Sequence, residues 1–335
     1  MKIAIDSSPL TSGHKIRGVG FYTRNLIAAL GDNVEAVDFS KANLSKYDVI
    51  HLPYFNPFFI DIPFVTKPKL VVTIHDTIPL IYPDIYKPGI KGRIRFFINK
   101  LILKRVSAVI TLTETSKKDI VRLLGIPAKK VFPIFLAPAV RPKIVNNEKD
   151  RIRRKYNLPE KYAFYVGDIN YVKNIPRMVE ACKKAKIVLV MSGKQVKDIE
   201  NQDLNHPELA HLKGINWSGV IRLGYAPDED VPVIFSMASV FVHPALYEGF
   251  GITIIEAMSY GVPVVAGKAQ ALVEIGQGGC LFANPKSTND ISEKISEVLT
   301  NKTLRNQLIE SGKVLAKSYS WEKTAKETLE VYRHV

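Results

Sequence analysis

His243-Pro244-Ala245-Leu246-Tyr247-Glu248-Gly249-Phe250-Gly251-Ile252-Thr253-Ile254-Ile255-Glu256-Ala257-Met258-Ser259-Tyr260-Gly261-Val262-Pro263 reads as a strand end, a glycine-rich turn, a helix and a stop. Gly249 and Gly251 bracket the helix start, where unpaired backbone N–H groups and the positive end of the helix dipole favour a phosphate. Gly261 is placed to cap the helix, and Pro263 prevents its continuation. Glu248 falls in the turn and Glu256 about one turn into the helix. A phosphate at the helix tip would lie between two carboxylates, each placed to accept hydroxyl donors such as those of a sugar and a ribose.

Outward from this stretch, short apolar runs alternate with helical segments. In the first half the runs are Ile3–Ile5, Val34–Phe39, Val49–Leu52, Leu70–Ile74, Ala108–Leu112 and Val131–Phe135. In the second they are Tyr162–Gly167, Ile187–Gly193, Ile221–Tyr225, Val240–Val242 and Val262–Ala266. Such alternation predicts parallel, doubly wound α/β sheets, whose ligands bind at the carboxyl ends of strands. Pro138, Pro142 and Pro159, around a charged stretch that predicts one short helix, mark a linker over 136–161. The expected domains are 1–150 and 151–315, facing each other across a cleft, with a last helix in 316–335.

The chain has 335 residues, 46% of them hydrophobic and 24% charged, which excludes a disordered chain and suits two domains. No apolar run approaches the ~20 residues of a membrane span, and Asp6 interrupts the only early one. Cys182 and Cys280 read as reduced core residues, so a cytoplasmic location is expected. The net charge of +15 is uneven: residues 1–150 carry 23 basic and 12 acidic side chains. That asymmetry points to an anionic partner. Lys87 to Arg105 holds seven basic residues and no acid, with Ile90, Ile94, Phe97, Ile98, Leu101 and Ile102 at helical spacing. This segment predicts an amphipathic helix suited to an anionic surface such as the inner membrane face, or one packed on its own domain with a solvated basic side. The loop Tyr54 to Ile60 adds an aromatic cluster that lines an acceptor site, meets headgroups or packs internally.

Glu248 and Glu256, inside Leu-Tyr-Glu-Gly-Phe-Gly and Glu-Ala-Met, resemble the paired-glutamate signature of retaining GT-B glycosyltransferases of family 4. The resemblance runs through nearly the whole chain. Gly18-Val-Gly20-Phe-Tyr-Thr is similar to the family's N-terminal glycine segment, and Val72-Thr-Ile-His75-Asp76 to its histidine segment. Tyr165-Val-Gly167 through Lys173-Asn174 is similar to the phosphate-lysine segment, Leu223-Gly-Tyr225 to the nucleotide-base strand, and Ser320-Trp321-Glu322 to the last helix, which in the family returns to the first domain. The resemblance implies a GT-B fold and transfer of a sugar, with retention, from a nucleotide diphosphate sugar to a glycan or lipid-linked acceptor. Mannosyltransferases of polysaccharide assembly are most similar in feel, so GDP-mannose is the first expectation for the donor. Glu256 would then hold the ribose and Glu248 the donor sugar. Lys173 would hold the diphosphate, with the amides of Phe250 and Gly251 and with Gly18 and Gly20 approaching it. Asn174, Gly249 and Tyr225 would complete donor binding, and His75 would sit near the transferred carbon. No cofactor or obligatory metal is implied. The chain departs from the family at Asp168, where many relatives carry an Arg, leaving Lys173 to work with backbone amides.

Three imitations are set aside. Gly18-x-Gly20 with Asp38 mimics a dinucleotide fingerprint, but Thr23 stands at the third glycine position. Asp228-Glu-Asp230 mimics a metal-binding motif, yet it lies between Pro227 and Pro232 where acids cap helix starts. A glycosidase pair would need two carboxylates facing one bond about 5–9 Å apart, with no phosphate site between them. A nucleotide-sugar epimerase of the same architecture and a basic nucleic-acid binder stay as alternatives. The second lacks any recognised motif or interleaved stacking aromatics, so no nucleic acid is expected as partner.

Overall fold

The computed structural model describes residues 1–13, 18–63, 67–139 and 146–335; Pro142, one of the linker prolines, lies outside them. Contacts divide the chain into two compact units, Met1–Ala137 with Tyr319–Val335, and Pro138–Ser318.

In the first unit the apolar runs become β1 (Ile3–Asp6), β2 (Glu35–Val37), β3 (Val49–Leu52), β4 (Lys69–Thr73), β5 (Ala108–Thr111) and β6 (Val131–Pro133). They form one parallel sheet in the order β2-β1-β3-β4-β5-β6. Around it pack α1 (Gly18–Leu30), α2 (Ile78–Ile81), α3 (Gly89–Leu103) and α4 (Glu114–Leu124). β1, β3 and β5 are buried along their whole length, as continuous apolar strands covered on both faces must be.

The second unit holds β7 (Tyr162–Val166), β8 (Val188–Ser192), β9 (Val220–Gly224), β10 (Val240–His243), β11 (Val264–Gly267) and β12 (Cys280–Ala283). Their parallel order is β12-β11-β10-β7-β8-β9. Its helices are α5 (Asn146–Tyr156), α6 (Ile175–Lys184), α7 (Val231–Met237), α8 (Ile252–Ser259), α9 (Gln270–Gly276), α10 (Thr288–Thr300) and α11 (Lys302–Lys317).

The last helix, α12 (Trp321–His334), belongs to the first unit. Ser320 caps it by accepting from the Lys323 N–H, and its stripe Trp321, Thr324, Ala325, Thr328, Val331 and Tyr332 is buried. Thr324 donates its hydroxyl to the Phe135 carbonyl at 2.7 Å, next to the point where the chain leaves this unit. Tyr332 reaches a buried hydrogen-bonded set. Its hydroxyl meets His51 Nδ1 at 2.6 Å, His51 Nε2 meets Thr73 Oγ1 at 2.7 Å, and Tyr22 completes the set at 3.0 Å from Thr73.

Two expectations change here. The chain passes between units at Ala137–Pro138 rather than near residue 150, because α5 packs on α7 in the second unit. The contact is electrostatic: Asp230, 1% exposed, takes Arg151 at 3.1 Å, Lys155 at 2.5 Å and the Tyr156 hydroxyl at 2.7 Å. Asp230 stands at the N-cap position of α7 but makes no side-chain cap bond, since those partners take its carboxylate. Burial would raise its pKa, yet Lys155, Tyr156 and Arg151 hold it below the ordinary carboxylate value.

Candidate active site

Strand order points to a candidate site in the second unit. Counting from β7, the sheet runs outward one way through β8 and β9 and the other way through β10, β11 and β12. The order therefore reverses between β7 and β10, and the loops after their carboxyl ends open a crevice there. Those loops carry Gly167–Asn174 and Pro244–Gly251.

Glycine is required at two places in this crevice. A Cβ on Gly193, after β8, would stand 2.1 Å from the Gly167 carbonyl oxygen. Gly251 has φ +93°, and a Cβ there would be 2.4 Å from Leu272 Cδ2. Gly251 is also the N-cap of α8, so that helix opens with no side-chain cap. A helix start of this kind presents backbone donors and a positive dipole end to an anion.

Lys173 and Glu248, 75 residues apart, meet at 2.5 Å, with side chains 17% and 9% exposed. His243, the last residue of β10, brings Nε2 to the same Glu248 oxygen at 2.7 Å. A carboxylate only accepts, so the imidazole proton is on Nε2. The ring lies nearly parallel to those of Tyr165 and Phe241, at 13° and 10°, which fixes its direction. Burial would raise the Glu248 pKa, but the Lys173 charge and the His243 hydrogen bond bring it down to about 2. The product is a buried carboxylate, ionised at neutral pH, against a cation and beside the start of α8.

Asn174 adopts the left-handed conformation (φ 61°) and is buried. Its amide donates to the carbonyls of Pro244 at 2.9 Å and Pro285 at 2.6 Å. It thus ties the loop after β7 to the loops after β10 and β12. Gly249 and Phe250 are buried in the turn, and Glu256 is half-buried on α8. Tyr225 follows β9, two strands from β7, and is 55% exposed with its hydroxyl 3.5 Å from Asp228. Among the described residues no group of His, Cys, Asp and Glu is arranged to hold a metal.

Gly18, Gly20 and His75 lie in the first unit. Both glycines are inside α1, Gly20 buried as its third residue. His75 follows β4 and gives its Nε2 proton to the Pro53 carbonyl at 2.9 Å, with the Tyr22 ring edge-on at 4.9 Å. This sheet reverses order between β1 and β3. A cavity of about 740 Å³ opens at that point, lined by Asp6, Ser8, Asp38, Tyr54, Asn56 and Phe59 among others.

Sequence reasoning gave no role to His243 or His51. His243 carried a signal, a polar residue closing an apolar strand five positions before a glutamate. His51 sits in the apolar run Val-Ile-His-Leu, and burial, with some repulsion from His75, drives its pKa down to about 3.

The family model for glycosyl transferases group 1 matches residues 147–315, and that for glycosyltransferase family 4 matches 12–135. O-antigen chain mannosyltransferase B of Escherichia coli is 31% identical over 276 residues, 79% of this chain and 70% of that protein. The serotype-specific mannosyltransferase WbdA of the same species is 25% identical across 88% of this chain, which spans only 38% of WbdA. Anabaena HepE, solved with UDP-glucose, superposes over the full length of both chains with TM-score 0.74 at 16% identity. Sucrose-phosphate synthase of Thermosynechococcus elongatus gives 0.70 at 19%, covering 100% of this chain and 98% of that one. The two doubly wound sheets are thus those of a GT-B fold, and the chain belongs to the group 1 glycosyltransferases.

Proposed function

We propose that the chain is a retaining mannosyltransferase that uses GDP-mannose, needs no metal, and acts on a glycan or lipid-linked acceptor. The observation that carries this reading is the buried Lys173–Glu248 pair beside the uncapped start of α8. A diphosphate at that helix start would face one fixed cation, with which charge developing on the leaving group interacts most strongly. Glu248 is held near pKa 2 by Lys173 and His243, which makes it a poor base and a poor nucleophile but a strong acceptor for sugar hydroxyls. In the proposed step the sugar C1–O bond breaks and the electron pair leaves with the diphosphate. The acceptor hydroxyl bonds to C1 from the same face and its proton passes to a leaving phosphate oxygen. Glu256 would bind the ribose and Tyr225 the base, with Phe250 and Gly251 amides on the phosphates; the roles that the resemblance gives His75, Gly18 and Gly20 belong to the same proposal.

The mannosyltransferase names of two relatives support the choice of donor. For the acceptor, the polar cavity by β1 and β3 offers carboxylates, hydroxyls and the rings of Tyr54 and Phe59, a lining suited to a sugar. No helix among the described residues is long and apolar enough to cross a membrane, and the proposal places the protein on a membrane surface through α3. The test is calorimetric titration with the common nucleotide diphosphates, then product analysis by NMR. GDP binding and an α-mannosyl product formed in EDTA are expected. Failure of every nucleotide to bind, an inverted anomer, or epimerised sugar nucleotide formed without acceptor would overturn the reading.

A further inference from the structure

Helix α3 is packed back to front. Its buried and half-buried side carries Gly92, Phe96, Asn99 and Leu103, whereas Ile90, Ile94, Phe97, Ile98 and Leu101 face outward. Ile90 is 80% exposed and Phe97 65%. At about 100° per residue, Lys91 and Arg95 follow on one flank of this stripe and Arg93 and Lys104 on the other. The adjoining loop extends the face. The Asn99 amide, at 2.9 Å from the Pro57 carbonyl and 2.6 Å from that of Phe59, pins the loop so that Phe59 and Ile60 are exposed too. Arg95 lies 5.6 Å over the Phe59 ring. Exposed apolar surface of this continuity, rimmed by cations, marks an interaction site.

Beside the first turn of α3 lies a cavity of about 600 Å³, walled by Phe58, Leu80, Pro83, Phe96 and Leu123. Ile90 lines it as well as heading the outward stripe, so the cavity and the exposed face are continuous. The charged residues lining it are Lys87 and Arg93, both exposed, and none is acidic. Its size is that of small-molecule sites, roughly 300–1,000 Å³.

We propose that this cavity takes one hydrocarbon chain of an anionic phospholipid from the bilayer on which α3 lies, with Lys87 and Arg93 receiving the lipid phosphate. The inference rests on the membrane-surface part of the function proposed above and adds a site for an individual lipid. The walls supply the apolar contact, the two cations supply the preference for an anionic headgroup, and the outward stripe brings the cavity mouth to the bilayer.

Vesicles of phosphatidylcholine, with and without phosphatidylglycerol carrying a photoreactive acyl chain, test it on the full chain. Expected are sedimentation with the anionic vesicles only and adducts on Leu80 and Leu123. Lys87→Gln with Arg93→Gln should weaken vesicle binding roughly 30-fold, from ~1 kcal/mol per basic residue. Leu123→Trp should remove the cavity adducts while vesicle binding through the stripe persists. Adducts confined to Ile94, Phe97 and Leu101 would overturn the lipid site, and absence of vesicle binding at low salt would overturn the surface as well. GDP titration of each variant separates the readings: retained GDP binding without vesicle binding leaves the transferase standing, and the reverse leaves only the lipid site.

Discussion

Replacing Lys173 with Met removes the cation but leaves Glu248 buried, so it tests how the candidate site is held together. The Glu248 pKa falls from the ordinary 4.5 to about 2 against the opposing effect of burial. At about 1.4 kcal/mol per unit, the ionised carboxylate is favoured by about 3 kcal/mol in the folded state. Breaking a buried pair from one side costs about 3–5 kcal/mol, because the remaining charge is stranded. Lys173→Met should therefore destabilise the second unit by about 3 kcal/mol at pH 7, roughly 6–12 °C in its calorimetric transition. Adding Glu248→Gln should recover most of that loss, leaving a coupling of about 2–3 kcal/mol in the double-mutant cycle. The pH dependence has a definite sign. A depressed carboxylate pKa contributes stability that is present above about 4.5 and lost as pH falls toward 2. The gap between parent and Lys173→Met should accordingly narrow as the pH drops through that window. Equal stability of parent and Lys173→Met, strict additivity in the cycle, or a gap independent of pH would refute the reasoning. Turnover should be lost in both single variants and the double, since recovered stability restores neither the cation nor the carboxylate.

Three further outcomes are expected. His51, with a folded pKa of about 3 against 6.5 unfolded, gives stability that is full above about 6.5 and falls by about 1.4 kcal/mol per pH unit below it. The urea midpoint of the first unit should decline from pH 7 to 5, and His51→Gln should flatten that slope. Glu256→Ala should weaken GDP binding about 10- to 150-fold, the loss of charge-assisted bonds worth roughly 1.5–3 kcal/mol; an unchanged calorimetric Kd would remove Glu256 from the ribose role. EDTA should leave turnover intact, because Asp230 is already taken by Arg151, Lys155 and Tyr156; loss of activity restored by Mn²⁺ would reinstate Asp228 and Asp230 as ligands.

Strands were legible where burial on both faces makes them continuous apolar runs, as in Val49–Leu52 and Val240–His243. β12 escaped although Cys280–Ala283 is apolar throughout: it is a four-residue, half-buried edge strand directly after Gly278 and Gly279, with no β-branched residue to mark it. The helix after Glu248 was legible from local chemistry, glycine before and glycine plus proline after. The partner of Glu248 was not, because Lys173 is 75 positions away and reaches it only through the strand order that sets β7 beside β10. Asn174 shows the same limit. Beside Lys173 it reads as a ligand-binding residue, yet its amide is spent on Pro244 and Pro285, carbonyls that only the folded loops bring near it.

The period of α3 was visible in the sequence, but its direction was not. Apolar residues at 90, 94, 97, 98, 101 and 102 define a stripe, and ordinary packing would turn that stripe toward the sheet, yet of the six Ile102 alone packs against the core. The face that packs instead includes a glycine and an asparagine. A Cβ on Gly92 would stand 2.6 Å from Cβ of Pro88 at the start of the same helix, and the loop at Phe58 packs directly over this position at 3.7 Å. Asn99 earns burial through the carbonyls of Pro57 and Phe59, which no hydropathy pattern records. Once these two positions are fixed inward, the helical period forces Ile90, Ile94, Phe97 and Leu101 outward together. The exposed apolar face thus follows from how α3 is anchored, and Asn99→Leu separates anchor from face. Leu would fill the space while releasing the loop, so Phe59 and Ile60 should lose their fixed position while the stripe stays outward. Binding to anionic vesicles should then weaken without disappearing; complete loss would mean that the loop, rather than the helix, meets the lipid.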